Sequence, residues 1–288
     1  IKDVGRLREI LVILGKHGFG AAVMRLGLEE TVGVKNLVST VDDENIRFTF
    51  ARRLRRSIEE LGPTFVKLGQ ILSTRPDLVP AEVAEELQNL QDNVPVLTYA
   101  EVRAQVESEL GKPIAEAFGS FEEIPLASAS IAQVHKATLP NGQIVVVKVQ
   151  RPSIAKRIDS DLHILHFLAR QVERNLPDLA MMDPAGIVSE FERAIRKELD
   201  FRNERRNIAQ FSKNFEDFEG LRAPLVYPEY CTAKVLTMEF IDGVKVTQAA
   251  EKLGADPYVV APRMLQALFK MVFKDGLFHG DLHPGNIL

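Results

Sequence analysis

The stretch "PLASASIAQVHKATLPNGQIVVVKVQRP", Pro125 to Pro152, decides the fold. Small, polar and β-branched residues alternate on both sides of Asn141-Gly142, a pair suited to a tight turn between antiparallel strands. Ile144 to Val149 is almost wholly valine, so a strand is expected there. One residue breaks the run. An ammonium buried without a partner is very costly, so Lys148 must place its head somewhere specific. It is either a lysine on the exposed face of an alternating strand or one aimed into a cleft, at phosphates and a helix carboxylate. Just upstream, Ala127-Ser128-Ala129-Ser130 is a run of short side chains between two strand candidates. Such a run is an ordinary tight turn, or a loop whose backbone N–H groups come close to an anion.

Working outward, the first 120 residues are expected to be helical. In "RRLRRSIEELGPTFVKLGQIL" the residues Leu54, Ile58, Leu61, Phe65, Leu68 and Leu72 recur at steps of four and three, which marks one buried stripe. Gly62-Pro63 kinks that helix or starts a new one. Thr98 and Glu101 form a capping-box pair, and Gly111 is placed to end the helix they open. After the hairpin come two long helical stretches. Asp183 caps the second, whose stripe is Ile187, Phe191, Ile195 and Leu199. "AKVLTMEFIDG" is a further strand and turn, and an apolar helix from Pro257 to about Lys274 leads to Gly276 at its C-cap.

Composition bounds the function. The chain has 288 residues, 45% of them hydrophobic and 26% charged, with a net charge of −4 and one cysteine, Cys231. A real core is possible, an intrachain disulfide is excluded, and no global basic field favours nucleic acid. No apolar run approaches the ~20 residues of a membrane-spanning helix. "RRLRR", Arg52 to Arg56, is a solvated helix face or a phosphate or lipid contact. The amphipathic start, with Leu7, Ile10, Leu11, Ile13 and Leu14 among Arg6, Arg8 and Lys16, packs into the core or lies on a bilayer surface. Both ends look cut from something longer.

The closing segment, "HGDLHPGNIL", carries the sharpest chemical signal. Asp281 and Asn286 have the D-x-x-x-x-N spacing of a kinase catalytic loop, where the aspartate takes the proton of the attacking hydroxyl and the amide oxygen holds a magnesium ion. His279 and His283 could ligate a metal or brace the loop backbone.

"HGDLHPGN", "VKLGQILSTRPDLVP" and "KELDFRNE" together resemble the UbiB/AarF family of atypical protein-kinase-like proteins, linked to ubiquinone and other prenylquinone biosynthesis. The resemblance implies an α+β, two-lobed protein-kinase-like fold with an N-terminal helical extension and a truncated C-lobe. Residues 1–120 would be the extension, 121–241 the N-lobe with a helical insertion, and 242–288 the start of the C-lobe. It matches Lys67, Gly69 and Gln70 to the Lys-x-Gly-Gln signature of a helix packed over the catalytic cleft. Ala127, Ser128, Ala129 and Ser130 match the alanine-rich loop, and Lys148 the strand lysine that contacts nucleotide. Glu198 and Asp200 match the Glu-x-Asp motif, and Glu204 takes the place of the helix carboxylate. We expect Glu204 to pair with Lys148 and Glu198 with Lys67. On one continuous helix Asp200 and Glu204 would share a face, a like-charge pair, and Glu198 would lie about 120° round from Glu204. Met238 to Ile241 fall at the hinge, with backbone near Glu239 and Ile241 facing an adenine.

The implied activity is Mg²⁺-dependent use of ATP (or ADP), with Asp281, Lys148 and Lys67 catalytic and Asn286 on the metal. It would support isoprenoid-quinone synthesis at a membrane face, on a small molecule or lipid and not on proteins. The implied partners are nucleotide, a lipid or quinone precursor, a membrane surface and other quinone-biosynthesis proteins. The place is the cytoplasmic face of a bacterial inner membrane, or a plastid or mitochondrial membrane. The alternative is a nucleotide-sensing scaffold with little turnover. The Asp-Phe-Gly metal ligand of kinases falls beyond Leu288, so this stretch alone is expected to be inactive.

Overall fold

The computed structural model describes residues 3–28, 48–90, 95–278, 280, 287 and 288. The chain folds as two units, each drawn from several stretches. The first comprises Ile1–Gln105, Pro125–Val134 and Val149–Leu199; the second comprises Val106–Ile124, His135–Lys148 and Asp200–Leu288.

The first unit is mainly helical. It opens with α1 (Val4–Leu14), a π-helical turn and α2 (Gly20–Arg25), followed by α3 (Phe50–Leu61), α4 (Pro63–Ser73) and α5 (Ala81–Leu87). Gly62, at φ 98°, separates α3 from α4, so Gly62-Pro63 starts a new helix. Pro63 fits at the first helical position, where its missing N–H costs nothing. Along the predicted stripe Ile58, Leu61 and Phe65 are buried, while Leu54, Leu68 and Leu72 are half-buried. Two surfaces left open by the sequence are placed here. Leu7, Ile10 and Leu11 of α1 are fully buried, so this face packs into the core. Within Arg52 to Arg56, Arg55 binds Glu59 and Glu86, and Arg53 lies over the ring of Phe19. That basic run is an anchored helix, in which Arg52, the most exposed of the four arginines, lies over the Phe48 ring.

A buried ion pair joins α1 to the helix that carries Asp161, and hydrogen bonds tie it to the α3–α4 junction. Arg6 is 9% exposed; its Nε donates to Asp161 Oδ1 at 2.7 Å and a terminal nitrogen donates to the carbonyl of Leu61 at 2.7 Å. Asp161 has no solvent exposure and also accepts from Thr64 Oγ1 at 2.5 Å. It lies on α8 (Ile154–Asn175), after α6 (Tyr99–Leu110) and α7 (Ile114–Ala117). Then follow α9 (Pro177–Ala180) and α10 (Pro184–Glu198), which packs along α8 and buries Phe191 and Ile195. The predicted caps form. Thr98 and Glu101 each receive the other's backbone N–H, and Asp183 accepts from Gly186 N at 3.0 Å.

Five strands, β1 (Ser120–Phe121), β2 (Ala127–Ser128), β3 (Ala132–Thr138), β4 (Ile144–Gln150) and β5 (Val235–Glu239), form one sheet in the order β1-β3-β4-β5, with β2 also on β3. β1 and β2 both run antiparallel to β3, pairing Phe121 with Ala137 and Ala127 with Val134. The expected β3–β4 hairpin is present, and it turns at Asn141-Gly142. Gly142 N donates to Leu139 O, the pair closes through Leu139 N to Gln143 O, and Gly142 has φ 86° while Asn141 does not have positive φ. A type I′ turn needs positive φ at both positions and a type II′ turn needs it at the first, so this is a three-residue loop with glycine as the left-handed bulge residue.

The second unit also holds α11 (Phe201–Asn214), α12 (Val246–Leu253), α13 (Pro257–Phe269) and a π-helical turn, Lys270–Asp275, closed by Gly276 at φ 63° as predicted. Phe215, Ala267 and Met271 pack together with Phe211, Phe218 and Leu221.

Candidate active site

Lys148 is placed by the period of two in β4. Val145, Val147 and Val149 are fully buried on one face, so Lys148 points to the other. There its Nζ lies 2.7 Å from Glu204 Oε2 and 4.9 Å from the centre of the Phe201 ring. Both ends of the ion pair keep partial solvent access, 22% for the lysine side chain and 36% for the glutamate. Glu204 sits in the first turn of α11, where the helix dipole favours a carboxylate. The exposed-face and carboxylate-facing readings of Lys148 therefore merge: it leaves the valine face and meets a helix acid.

The second expected pair forms in the first unit, where Lys67 Nζ lies 2.7 Å from Glu198 Oε1. Lys67 is on α4 and Glu198 is the last residue of α10. Gly69, between Lys67 and Gln70, is buried. A Cβ there would overlap Leu90 Cδ1 and stand 3.4 Å from two carbons of Ile58, so an alanine at this turn of α4 would have to displace the end of the Leu90 side chain. Gln70 is half-buried and its carbonyl accepts from Ser73 Oγ.

The expectation of one helix through residues 198–204 is wrong. α10 ends at Glu198, and Asp200, in extended conformation at φ −105° and ψ 97°, is the N-cap of α11. Its carboxylate accepts from the backbone and the side chain of Arg202, which holds it below the usual carboxylate range. Asp200 thus does not stack under Glu204 as a like-charge neighbour, and the 120° helical offset of Glu198 from Glu204 does not apply. Asparagine, serine and aspartate favour this cap position because their side chains satisfy a helix N–H that would otherwise go unpaired.

In the Ala127–Ser130 run, Ala127 and Ser128 form β2, Ala129 N donates to Ala132 O at 2.8 Å, and Ser130 is fully buried. Arg151, a residue that spacing does not single out, holds this loop through two hydrogen bonds, to Ala129 O and Ser128 Oγ, and makes a third to Pro95 O. Their sequence separations of 22, 23 and 56 residues leave no local pattern to find.

At the predicted hinge, the N–H groups of Glu239 and Phe240 are engaged, donating to Leu225 O at 2.7 Å and Ile144 O at 3.2 Å. The Glu239 carboxylate accepts two bonds from Arg222 and one from Leu225 N, and the Arg222 guanidinium depresses its pKa. Asp281 and Asn286, with His279 and His283, lie outside the described residues. Among the described residues no group of three or more His, Cys, Asp or Glu side chains could hold a metal.

Comparison with known proteins fits this geometry. A model of the ABC1 atypical kinase-like domain matches residues 89–288. The chain is 41% identical to a probable protein kinase UbiB of Sodalis glossinidius over 98% of its own length and 53% of that protein's. It is 40% identical to an uncharacterized protein of the hydrogenase 1 5′ region of Clostridium pasteurianum, covering 99% of this chain and 51% of the other. The chain thus spans about half the length of these relatives. A solved structure, the complex of Rv3197 with erythromycin from Mycobacterium tuberculosis, aligns with a TM-score of 0.55 and 31% identity over 83% of this chain and 60% of that one. A mixed helix–sheet fold of the kinase-like kind, a strand lysine paired with a helix glutamate, and the match over residues 89–288 lead to one statement: the chain belongs to the ABC1 atypical kinase-like family.

Proposed function

We propose that this protein is an atypical kinase or ATPase that uses Mg-ATP to support isoprenoid-quinone synthesis at a membrane face, acting on a small molecule or lipid. The observation that carries the reading is the Lys148–Glu204 ion pair. A lysine held at one end by a carboxylate keeps two further N–H donors and a fixed position, the condition for gripping phosphate oxygens. Its partial exposure leaves room for that contact. Nucleotide, when bound, supplies a transferable phosphoryl group. Lys148 would hold its phosphates, backbone at Glu239 to Ile241 would meet its base, and the loop Ala127–Ser130, whose Ala129 N–H already donates to Ala132 O, is assigned to nucleotide as well. Asp281 would take the proton of the attacking hydroxyl, and Asn286 would be the residue that holds magnesium. Lys67 is assigned a catalytic role beside Lys148 and Asp281, and Gly69, Gln70, Glu198 and Asp200 support and regulate the site.

The quinone pathway enters through the family and through relatives named probable protein kinase UbiB. Those relatives are bacterial, which supports the cytoplasmic face of an inner membrane as the place. No helix among the described residues is long and apolar enough to cross a membrane.

The test is phosphate release from ATP and Mg²⁺ by the full chain, with and without anionic vesicles carrying a phenolic quinone precursor. Wild type is compared with Asp281→Asn. Turnover that rises with vesicles and collapses in the variant is expected. Tight nucleotide binding without turnover, unchanged in the variant, would replace the enzyme with a nucleotide-sensing scaffold. Robust phosphorylation of peptides would refute the restriction to small molecules and lipids.

A further inference from the structure

Arg151 is 7% exposed, and all three of its guanidinium nitrogens are used. Nε donates to Ala129 O at 2.9 Å, one terminal nitrogen to Ser128 Oγ at 2.7 Å, and the other to Pro95 O at 2.8 Å. Its own backbone N–H donates to Ile131 O at 2.9 Å, so the residue is anchored at the end of β4 while its side chain folds back over the preceding loop. Gln133, fully buried, adds a second grip on the segment that Arg151 touches. Its Oε1 accepts from Leu97 N at 2.9 Å and its Nε2 donates to Leu97 O at 3.4 Å, the two-point bonding a neighbouring strand would give. Residues 95–97 thus form a strap, held by two buried side chains, one of which also holds the loop.

The geometry does more than tether. In a trans peptide the carbonyl and the following N–H point in opposite directions. With Ala129 O drawn to the guanidinium, the N–H of Ser130 is turned away from it. We propose that Arg151 is a positioning residue that fixes the Ala127–Ser130 loop in one conformation, and that through Pro95 this conformation depends on the strap at residues 95–97. The role rests on the nucleotide reading above only for what the loop then contacts; the latch itself is a property of the fold. Lysine cannot replace it. A guanidinium spreads five donors in a planar fork, while an ammonium presents three from one point and cannot span three separated acceptors.

The experiment is amide hydrogen exchange across residues 126–132 in the nucleotide-free full chain, for wild type, Arg151→Lys and Ser128→Ala, paired with ATP affinity by calorimetry. Arg151→Lys is expected to raise exchange in the loop about tenfold, leave α8 unchanged and weaken ATP binding about tenfold. Ser128→Ala removes one of the three bonds and should move both readouts a few-fold in the same direction. Unchanged loop exchange in either folded variant would overturn the proposal, as would a rise spread evenly over α8 and α10. If Arg151→Lys does not fold, Ser128→Ala decides alone. Wild type that binds no ATP would defeat the nucleotide reading and leave the exchange result standing. Faster loop exchange with unchanged ATP affinity would overturn the link between loop and nucleotide.

Discussion

Replacing Asp161 by alanine removes the acid that neutralises Arg6 in the first unit. Asp161 has no exposure, Arg6 is 9% exposed, and their closest atoms are 2.7 Å apart. Removing one partner of a buried pair costs about 3–5 kcal/mol, mostly because a desolvated charge is left behind. Two details shift the figure within that range. Glu9 remains 2.9 Å from Arg6, but with half its side chain in water it recovers only part of the loss. The Thr64 hydroxyl also loses its acceptor, worth about 1 kcal/mol. The balance is about 3–4 kcal/mol, read as a lower urea midpoint of the helical circular-dichroism signal at about 222 nm. Arg6→Met with Asp161→Leu removes both charges and should return to within about 2 kcal/mol of wild type, since a packed apolar pair often equals a buried ion pair. An Asp161→Ala variant within about 0.5 kcal/mol of wild type would refute the reasoning, as would a double variant worse than the single one.

Three more perturbations have defined outcomes. Gly69→Ala gains about 1 kcal/mol of helix propensity but overpacks against Leu90, so it should lose about 1 kcal/mol net, and in a Leu90→Ala background the same change should stabilise; both are read by urea titration. Lys67→Ala breaks a pair whose partner is 38% exposed, so its cost should stay under about 1 kcal/mol, and any collapse of turnover in that variant would then be chemical and not a folding defect. Burial lowers the pKa of His135 against the opposing bond to Glu122 O, so the folded state favours the neutral ring. Its contribution is complete above the unfolded value of 6.5 and fades as pH falls below it. The stability difference between wild type and His135→Gln should therefore shrink from about pH 7.5 to about pH 5.5; a difference that grows would reverse the sign.

What the sequence discloses here is what local spacing can encode. Thr98 and Glu101 are three apart, Asp183 precedes a proline, and valines alternate around Lys148, and each pattern predicts its element. The partnership of Lys148 with Glu204 spans 56 residues and is expected only through family resemblance. The helix break at Leu199-Asp200 is not legible, because aspartate suits both a polar helix surface and an N-cap, and the flanking sequence does not choose. Arg151 and the Arg6–Asp161 pair, the latter 155 residues apart, are invisible to spacing altogether. Arginine near a proline suggests a turn, and only the folded chain shows the carbonyls it meets.

The alternation of β4 has one more effect. Every second residue from Val145 to Val149 is sealed from water, and a single charge stands between the last two of them. If β4 slipped by one position against β3, the valines would turn outward and the ammonium of Lys148 would be driven into the apolar layer, far from Glu204. The cost of that desolvation excludes the misaligned hairpin. The lysine therefore acts during folding as an indexing mark, selecting among possible alignments the one in which it reaches its carboxylate.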